Sequence, residues 1–283
     1  MKVLIIGTFH HKNKEGLELM LSYLNFEYKW GNYYDIHNHD LIFLPDNPVD
    51  TSKFPLKKFI FGNHFSVFPT NKITHIRNIH KNSLYIQPSE WASQVWRDMK
   101  AETFIPIKTL PFAVNVDKFK PNKSSKEKVF IYFKRRKQEE LKFLKKFLNN
   151  KNIDFQIFDY VKRYKEEDYL KYLQESKYGI WLGAHESQGF ALQEALSCNV
   201  PLIVWNVSSM NQEEGINYPA IKATSIPYWD ERCGEYFYNS NEFEETYNRF
   251  INKLDTYKPR EYILENLSVE KCAENLKSLI NRQ

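Results

Sequence analysis

Glu186 and Glu194 stand with seven residues between them, in the string Glu186-Ser187-Gln188-Gly189-Phe190-Ala191-Leu192-Gln193-Glu194. An ionised carboxylate accepts hydrogen bonds and cannot donate them, so each suits hydroxyl donors such as those of a hexose or a ribose. Between the two acids a helix opens near Gly189. Phe190, Leu192, Ala195 and Leu196 lie on or near one of its faces, and Asn199-Val200-Pro201 ends it, with Asn199 suited to a left-handed cap. Free N–H groups at such a helix start, with the positive end of the dipole, attract an anion, and glycine lets a phosphate approach the main chain. The spacing therefore suits a sugar joined through a diphosphate to a ribose, with the diphosphate between the two glutamates. Surface helices also carry glutamates in their first turn simply because they favour the dipole. The surrounding string is narrower than the spacing alone: apolar Tyr178–Leu182 precedes it and apolar Pro201–Trp205 follows it.

Breaking the bond between a sugar and a nucleoside diphosphate leaves negative charge on the β-phosphate, which positioned cations or a metal stabilise as it develops. No Asp-x-Asp triplet occurs anywhere in the chain. Basic side chains are therefore expected in this role, and no metal. Lys134-Arg135-Arg136 directly follows the apolar run Val129–Phe133, at the carboxyl end of an expected strand. Lys134 and Arg136 are the first candidates, with Arg135 as their substitute. Cys198, Cys233 and Cys272 are widely spaced and form no CxxC or Cys/His cluster of the kind a zinc site requires. The base is expected to meet the region after Phe155–Phe158, including Tyr160 and Val161, with no choice between uracil and guanine.

These groups need a scaffold, and the chain alternates apolar runs with amphipathic segments. Strands are expected at Val3–Ile6, Asp40–Leu44, Phe59–Phe61, Leu84–Ile86 and Phe104–Leu110, with helices near Gly16–Leu24 and Glu90–Met99. Further on, runs at Val129–Phe133, Phe155–Phe158, Tyr178–Leu182, Pro201–Trp205 and Ala220–Thr224 alternate with helices near Glu139–Leu148, Glu166–Gln174 and Gly189–Leu196. That is the pattern of two parallel-sheet α/β units. The polar stretch 121–127 lacks apolar periodicity and serves as the linker, dividing the chain into 1–120 and 121–283. The last helix can pack back on the first domain. Two such domains would face each other across a cleft at the carboxyl ends of their strands, where α/β ligands usually bind.

The segment 186–201 resembles the donor-site signature of retaining GT-B glycosyltransferases, especially glycosyltransferase family four: Glu-Gly-Phe-Gly-Leu-x-x-x-Glu-Ala-x-x-Cys-Gly-x-Pro. Glu186, Gly189, Phe190, Glu194, Ala195, Cys198 and Pro201 stand in recognisable positions, with Gly189-Phe190 shifted two places and Asn199 replacing a glycine. Residues 110–121 are similar to the family's interdomain stretch, residues 85–91 to the strand and helix start closing its acceptor domain, and residues 257–267 to its C-terminal approach. The resemblance implies the GT-B fold, here with a shortened N-terminal domain on the acceptor side and a C-terminal domain that binds the nucleotide sugar. It implies transfer of a hexosyl group from a nucleoside diphosphate sugar to an acceptor hydroxyl, with retention. Glu194 would bind the ribose and Glu186 the donor sugar. Gly189, Phe190, Lys134 and Arg136 would bind the diphosphate. His64, in Phe61-Gly62-Asn63-His64-Phe65, resembles the family histidine that contacts the donor sugar near the reaction centre. His10 is a second candidate, for the acceptor pocket, and His185 is read as a neighbour of Glu186. The alternative is a catalytically inactive GT-B module that binds a nucleotide sugar or glycan as a partner subunit.

Composition agrees with an ordinary soluble enzyme, and no cofactor is expected beside the nucleoside diphosphate sugar as donor substrate. With 283 residues, 42% of them hydrophobic, the chain can bury a substantial core. Forty Lys+Arg against thirty-five Asp+Glu gives a net charge of +5, too small for a nucleic-acid signature. The aromatic side chains follow no regular offsets of an RNA-binding sheet, so no nucleic-acid partner is expected. Unpaired cysteines and an N-terminal apolar run too short for a leader or a span point to the cytoplasm. Peripheral membrane contact through the basic patches Lys134–Lys137 or Lys142–Lys146 stays open. Expected acceptors are carbohydrate, lipid-linked or protein-linked glycans.

Overall fold

The computed structural model describes residues 1–70 and 83–282. It divides into two compact units: Met1–Asn115 with Leu267–Gln283, and Val116–Asn266. In the first, the strands are β1 (Lys2–Ile5), β2 (Glu27–Trp30), β3 (Leu41–Leu44), β4 (Lys58–Phe61), β5 (Ser83–Gln87) and β6 (Ile107–Thr109). They form one sheet in the order β2-β1-β3-β4-β5-β6, and every pairing is parallel. Helix α1 (His11–Tyr23) joins β1 to β2, and α2 (Glu90–Asp98) joins β5 to β6. Residues of β3 are buried on both faces, as in a parallel sheet covered by helices on each side.

The second unit has β7 (Lys128–Lys134), α3 (Gln138–Asn150), β8 (Phe155–Asp159), α4 (Glu166–Gln174), β9 (Ser176–Gly183), α5 (Phe190–Ser197), β10 (Leu202–Trp205), β11 (Gly234–Phe237), α6 (Ser240–Asn252) and α7 (Pro259–Leu267). Its five strands run in the order β11-β10-β9-β7-β8, again all parallel. On one face, Val129, Ile131, Phe133, Ile180, Leu182 and Ile203 form a core with Leu144 of α3 and Phe243 of α6. The final helix, α8 (Val269–Arg282), returns to the first unit and packs against α1.

Residues 116–120, assigned from sequence to the first domain, belong to the second unit. The Arg260 guanidinium holds them there, donating to the carbonyls of Val116 (3.2 Å), Phe119 (3.1 Å) and Ser197 (2.7 Å). The run Ala220–Thr224 is not a strand; among the described residues its ladder contact is one bridge, Ser209 to Lys222. The fifth strand of this sheet is β11, and β2 is a strand where none was expected. Expected strand Phe104–Leu110 shortens to β6, preceded by a 3-10 turn at Ala101–Thr103. No helix among the described residues is long and apolar enough to cross a membrane.

Candidate functional site

In the second sheet the chain leaves β7 to one side, for β8, and later to the other, for β9. The order therefore reverses between β7 and β9. Ligands of open α/β sheets bind at such a reversal, outside the carboxyl ends of the strands. Lys134 is the last residue of β7, and Glu186 follows β9 by three residues. Lys134 Nζ donates to Glu186 Oε1 at 2.8 Å, with both side chains mostly buried. Burial works against the ammonium, but Glu186, Tyr160 and Glu213 together outweigh burial, and the lysine pKa is raised. The same ammonium lies 4.7 Å from the centre of the Tyr160 ring.

Glu186 is fixed from behind. Its N–H donates to Thr224 O at 3.0 Å, so the run misread as a strand serves as a buttress. Buried Asn206 holds that buttress, its Oδ1 accepting from Val207 N, Thr224 Oγ1 and Ser225 N. Gly189 caps α5 in the left-handed region, φ +86°, where a side chain is strained, and a Cβ there would come 3.3 Å from Glu186 Cβ. The cap offers no side-chain acceptor to the first-turn amides of α5, and no acid stands in that turn. Phe190 at the helix start is half-exposed. The helix ends as expected, with Asn199 at φ +57°. Lys126 Nζ donates to the carbonyls of Cys198 and Asn199 there.

Glu194 lies deeper, with 4% of its surface exposed. Tyr164 lies in the loop before α4. Tyr164 Oη donates to Tyr132 Oη at 3.2 Å, and the Tyr132 ring stacks on Trp181 at 3.9 Å. Burial raises the Tyr164 pKa first, and the fields of Glu194 and Glu186 add to the rise. Tyr169 Oη donates to Ala191 O at 2.9 Å and ties α4 to the first turn of α5.

The other two basic residues differ from Lys134. Arg136, expected to bind diphosphate, is 3% exposed and engaged inside the unit: Nε and Nη2 donate to Glu140, and Nη1 donates to Gly183 O and Trp205 O. It braces the ends of β9 and β10 and does not turn outward. Arg135, in a left-handed conformation at φ +48°, donates from Nη1 to Glu213 Oε1 at 2.8 Å. Glu213 Oε2 in turn lies 3.3 Å from His185 Nδ1, and the Tyr218 ring packs edge-on against His185 at 5.2 Å. Burial lowers the His185 pKa, Glu213 pulls it up, and Lys134 and Arg135 push it down. Glu213, Tyr164 and Asn206 are the residues that sequence reasoning missed. Val161 is 66% exposed and its N–H donates to Asp159 Oδ1, so of the two residues expected at the base only Tyr160 joins the cluster.

His64 stands in the first unit, beyond the carboxyl end of β4. Its Nε2 accepts from His10 N at 3.5 Å, and its ring packs edge-on against Phe9. Burial lowers its pKa and Asp46 pulls the other way. Asp46 Oδ2 accepts from Thr8 N and, at 2.7 Å, from Thr8 Oγ1; Gly7, φ +110°, leaves room for this carboxylate. The sheet order reverses here too, between β1 and β3.

No protein-family model and no curated protein matches the chain. Solved structures do. The N-terminal domain of trehalose-6-phosphate phosphatase from Candida albicans aligns with a TM-score of 0.62 at 10% identity, over 99% of this chain and 96% of that one. The catalytic domain of starch synthase IV from Arabidopsis thaliana, bound to ADP and acarbose, aligns at 0.54 and 9% identity, over 98% and 78%. A point mutant of S. aureus TarM, in complex with fondaparinux, alpha-GlcNAc-glycerol and UDP, aligns at 0.51 and 14% identity, over 80% and 51%. The chain spans little more than half the length of the first solved structures it matches. TarM and starch synthase are GT-B glycosyltransferases. At these identities the likeness shows the fold. The chain has two parallel α/β sheets of the GT-B kind.

Proposed function

We propose that this protein is a glycosyltransferase that moves a hexosyl group from a nucleoside diphosphate sugar to an acceptor hydroxyl, with retention and without an obligatory metal. The observation that carries the reading is the pairing of Lys134 with Glu186 at the reversal point of a parallel sheet, ahead of the helix start capped by Gly189. The fold neighbours with UDP or ADP bound support a nucleotide ligand.

In this reading the Lys134–Glu186 pair exchanges partners when the donor binds. The ammonium turns to the diphosphate, where it stabilises charge developing on the leaving group. The carboxylate is released to accept from the sugar hydroxyls. The first-turn amides of α5, beginning at Phe190, meet a phosphate oxygen, and Gly189 keeps the approach open. Glu194 accepts from the ribose, and Tyr160 borders the base. Retention, the role of His64 at the donor sugar and a family-four affiliation rest on the sequence resemblance, and metal independence on the lack of an Asp-x-Asp triplet. A glycan acceptor, free or linked to lipid or protein, and a cytoplasmic location, with or without peripheral membrane contact, belong to the same proposal.

A second reading has one observation in its favour: Lys134, Arg135 and Arg136 each already hold a carboxylate. That arrangement also suits a module that binds a nucleotide sugar without transferring it. A thermal-shift panel of UDP-, GDP-, ADP- and dTDP-sugars tests the shared premise, because a ligand of the native state raises apparent stability. Donor hydrolysis in the absence of acceptor then separates enzyme from module. A panel that leaves the melting temperature unmoved overturns both.

A further inference from the structure

We propose that the indole N–H of Trp181 donates a hydrogen bond to a phosphate oxygen of the bound donor. The inference rests on the donor-site reading and adds to it a residue that neither the paired acids nor the basic run after β7 contains. Trp181 lies in β9 and is fully buried. Its ring lies flat on that of Tyr132, with centroids 3.9 Å and planes 3° apart, so the direction of the N–H is fixed. Among the described residues Nε1 has no hydrogen-bond partner. An indole N–H can only donate, and a buried donor left unpaired loses its hydration with nothing to replace it. Buried tryptophans ordinarily find an acceptor.

The position of this donor points to its acceptor. Val129, Ile131 and Phe133 of β7 and Ile180 and Leu182 of β9 face the core shared with α3 and α6. Alternation therefore sets Tyr132, Lys134, Trp181 and Gly183 on the other face, where Tyr169 of α4 meets the Tyr132 ring. In register, Tyr132 stands opposite Trp181 and Lys134 opposite Gly183, the last pair before both strands end. The indole leans toward that end. A Cβ on Gly183 would lie 2.6 Å from Nε1 and 3.1 Å from Cδ1, so the glycine is what leaves the N–H its space. The carbonyl of Gly183 is already taken, by Arg136 Nη1 at 3.2 Å and Ser225 Oγ at 3.1 Å. Past the strand ends come the Lys134–Glu186 pair and the start of α5, whose cap offers no side-chain acceptor. A diphosphate that draws Lys134 from Glu186 comes to the end of the sheet on this face. There the indole supplies a neutral donor, held by ring stacking, that needs no reorganisation when the ligand arrives.

The test is nuclear magnetic resonance of the whole chain, isotopically labelled at the indole nitrogens of its six tryptophans, during titration with UDP-, GDP-, ADP- and dTDP-hexoses. Single substitutions by Phe assign the cross-peaks. The expected result is a downfield move of the Trp181 N–H proton at saturation with a hexose that binds, and none with the matching nucleoside, which lacks phosphate. Trp181→Phe, its fold checked by circular dichroism, should bind that hexose about ten- to a hundredfold more weakly, the scale of a hydrogen bond to a charged acceptor. The cross-peak decides on the native chain, whatever the stability of the variant. Hexose binding that leaves the Trp181 cross-peak in place overturns this inference and leaves the donor site standing, as does an equal move with the nucleoside. Binding of none of the hexoses overturns the donor-site reading itself, and this inference with it.

Discussion

The two sheets run in the same order as far as their fifth strand, reversing between their first and third strands, yet their rims are built differently. At the rim of the first, Gly7 lets one carboxylate, Asp46, close on the backbone and hydroxyl of Thr8, beside His64 and His10. At the rim of the second, three consecutive basic residues each meet an acid, Lys134 on Glu186, Arg135 on Glu213 and Arg136 on Glu140. The first rim sets a carboxylate among backbone and hydroxyl donors, and the second pairs each of three cations with a carboxylate. One scaffold serves both, and the difference lies in the loops after the strands.

The largest effect expected from breaking this contrast is on stability. Arg136→Ala leaves Glu140 without its buried partner and frees two carbonyls, a loss of about 3–5 kcal/mol of unfolding free energy. Urea denaturation reads it directly. Unaltered stability would remove Arg136 from the frame of the second rim and return it to the candidates for the diphosphate. Glu186→Gln comes next and acts on turnover, lowering it roughly 10²–10³-fold, the scale of losing one preorganised group at a transition state. Steady-state rates with the best donor of the thermal-shift panel check it, with circular dichroism confirming the fold; unaffected turnover would end the case for the paired acids. Smaller again is Gly189→Ala. A left-handed alanine costs about 1–2 kcal/mol, and its methyl group would press on Glu186. Donor KM should rise in parallel with a lower melting temperature, and an unchanged KM would separate the cap from the site.

Much of the second unit was legible because its elements announce themselves locally. Val129–Phe133 and Tyr178–Leu182 are unbroken apolar runs, as central parallel strands must be, and Glu166–Gln174 was bounded correctly from its amphipathic pattern. The edges were not legible. β2 reads Glu27-Tyr28-Lys29-Trp30 and β11 reads Gly234-Glu235-Tyr236-Phe237; each pairs on one side only and keeps polar residues that mask the strand pattern. Ala220–Thr224 looked apolar enough for a strand but is recruited by a side chain, Asn206, whose amide takes the place of a ladder. Lys134 and Glu186 are marked in the sequence by their places after a strand and before a helix start, and the fold pairs these two side chains. Glu213 lies in an aperiodic stretch 78 residues from Arg135, and only the folded chain brings the two together. Arg136, expected at the diphosphate, lies inside the unit on Glu140, Gly183 O and Trp205 O: adjacent basic residues after a strand point in different directions, and the sequence does not say which one turns inward.

Each rim also holds one partly buried imidazole, and these set the smallest of the expected effects. Burial lowers the pKa of both His64 and His185, while Asp46 and Glu213 respectively oppose the shift. In the unfolded chain both titrate near the ordinary value of 6.5. Between that value and the lower native ones the unfolded state binds more protons, so stability rises with pH across this window. The contribution is fully present above 6.5 and is lost as pH falls through the native values. Chemical denaturation from pH 8 to pH 5 should therefore show declining stability in acid, with a slope made shallower by His64→Gln and, separately, by His185→Gln.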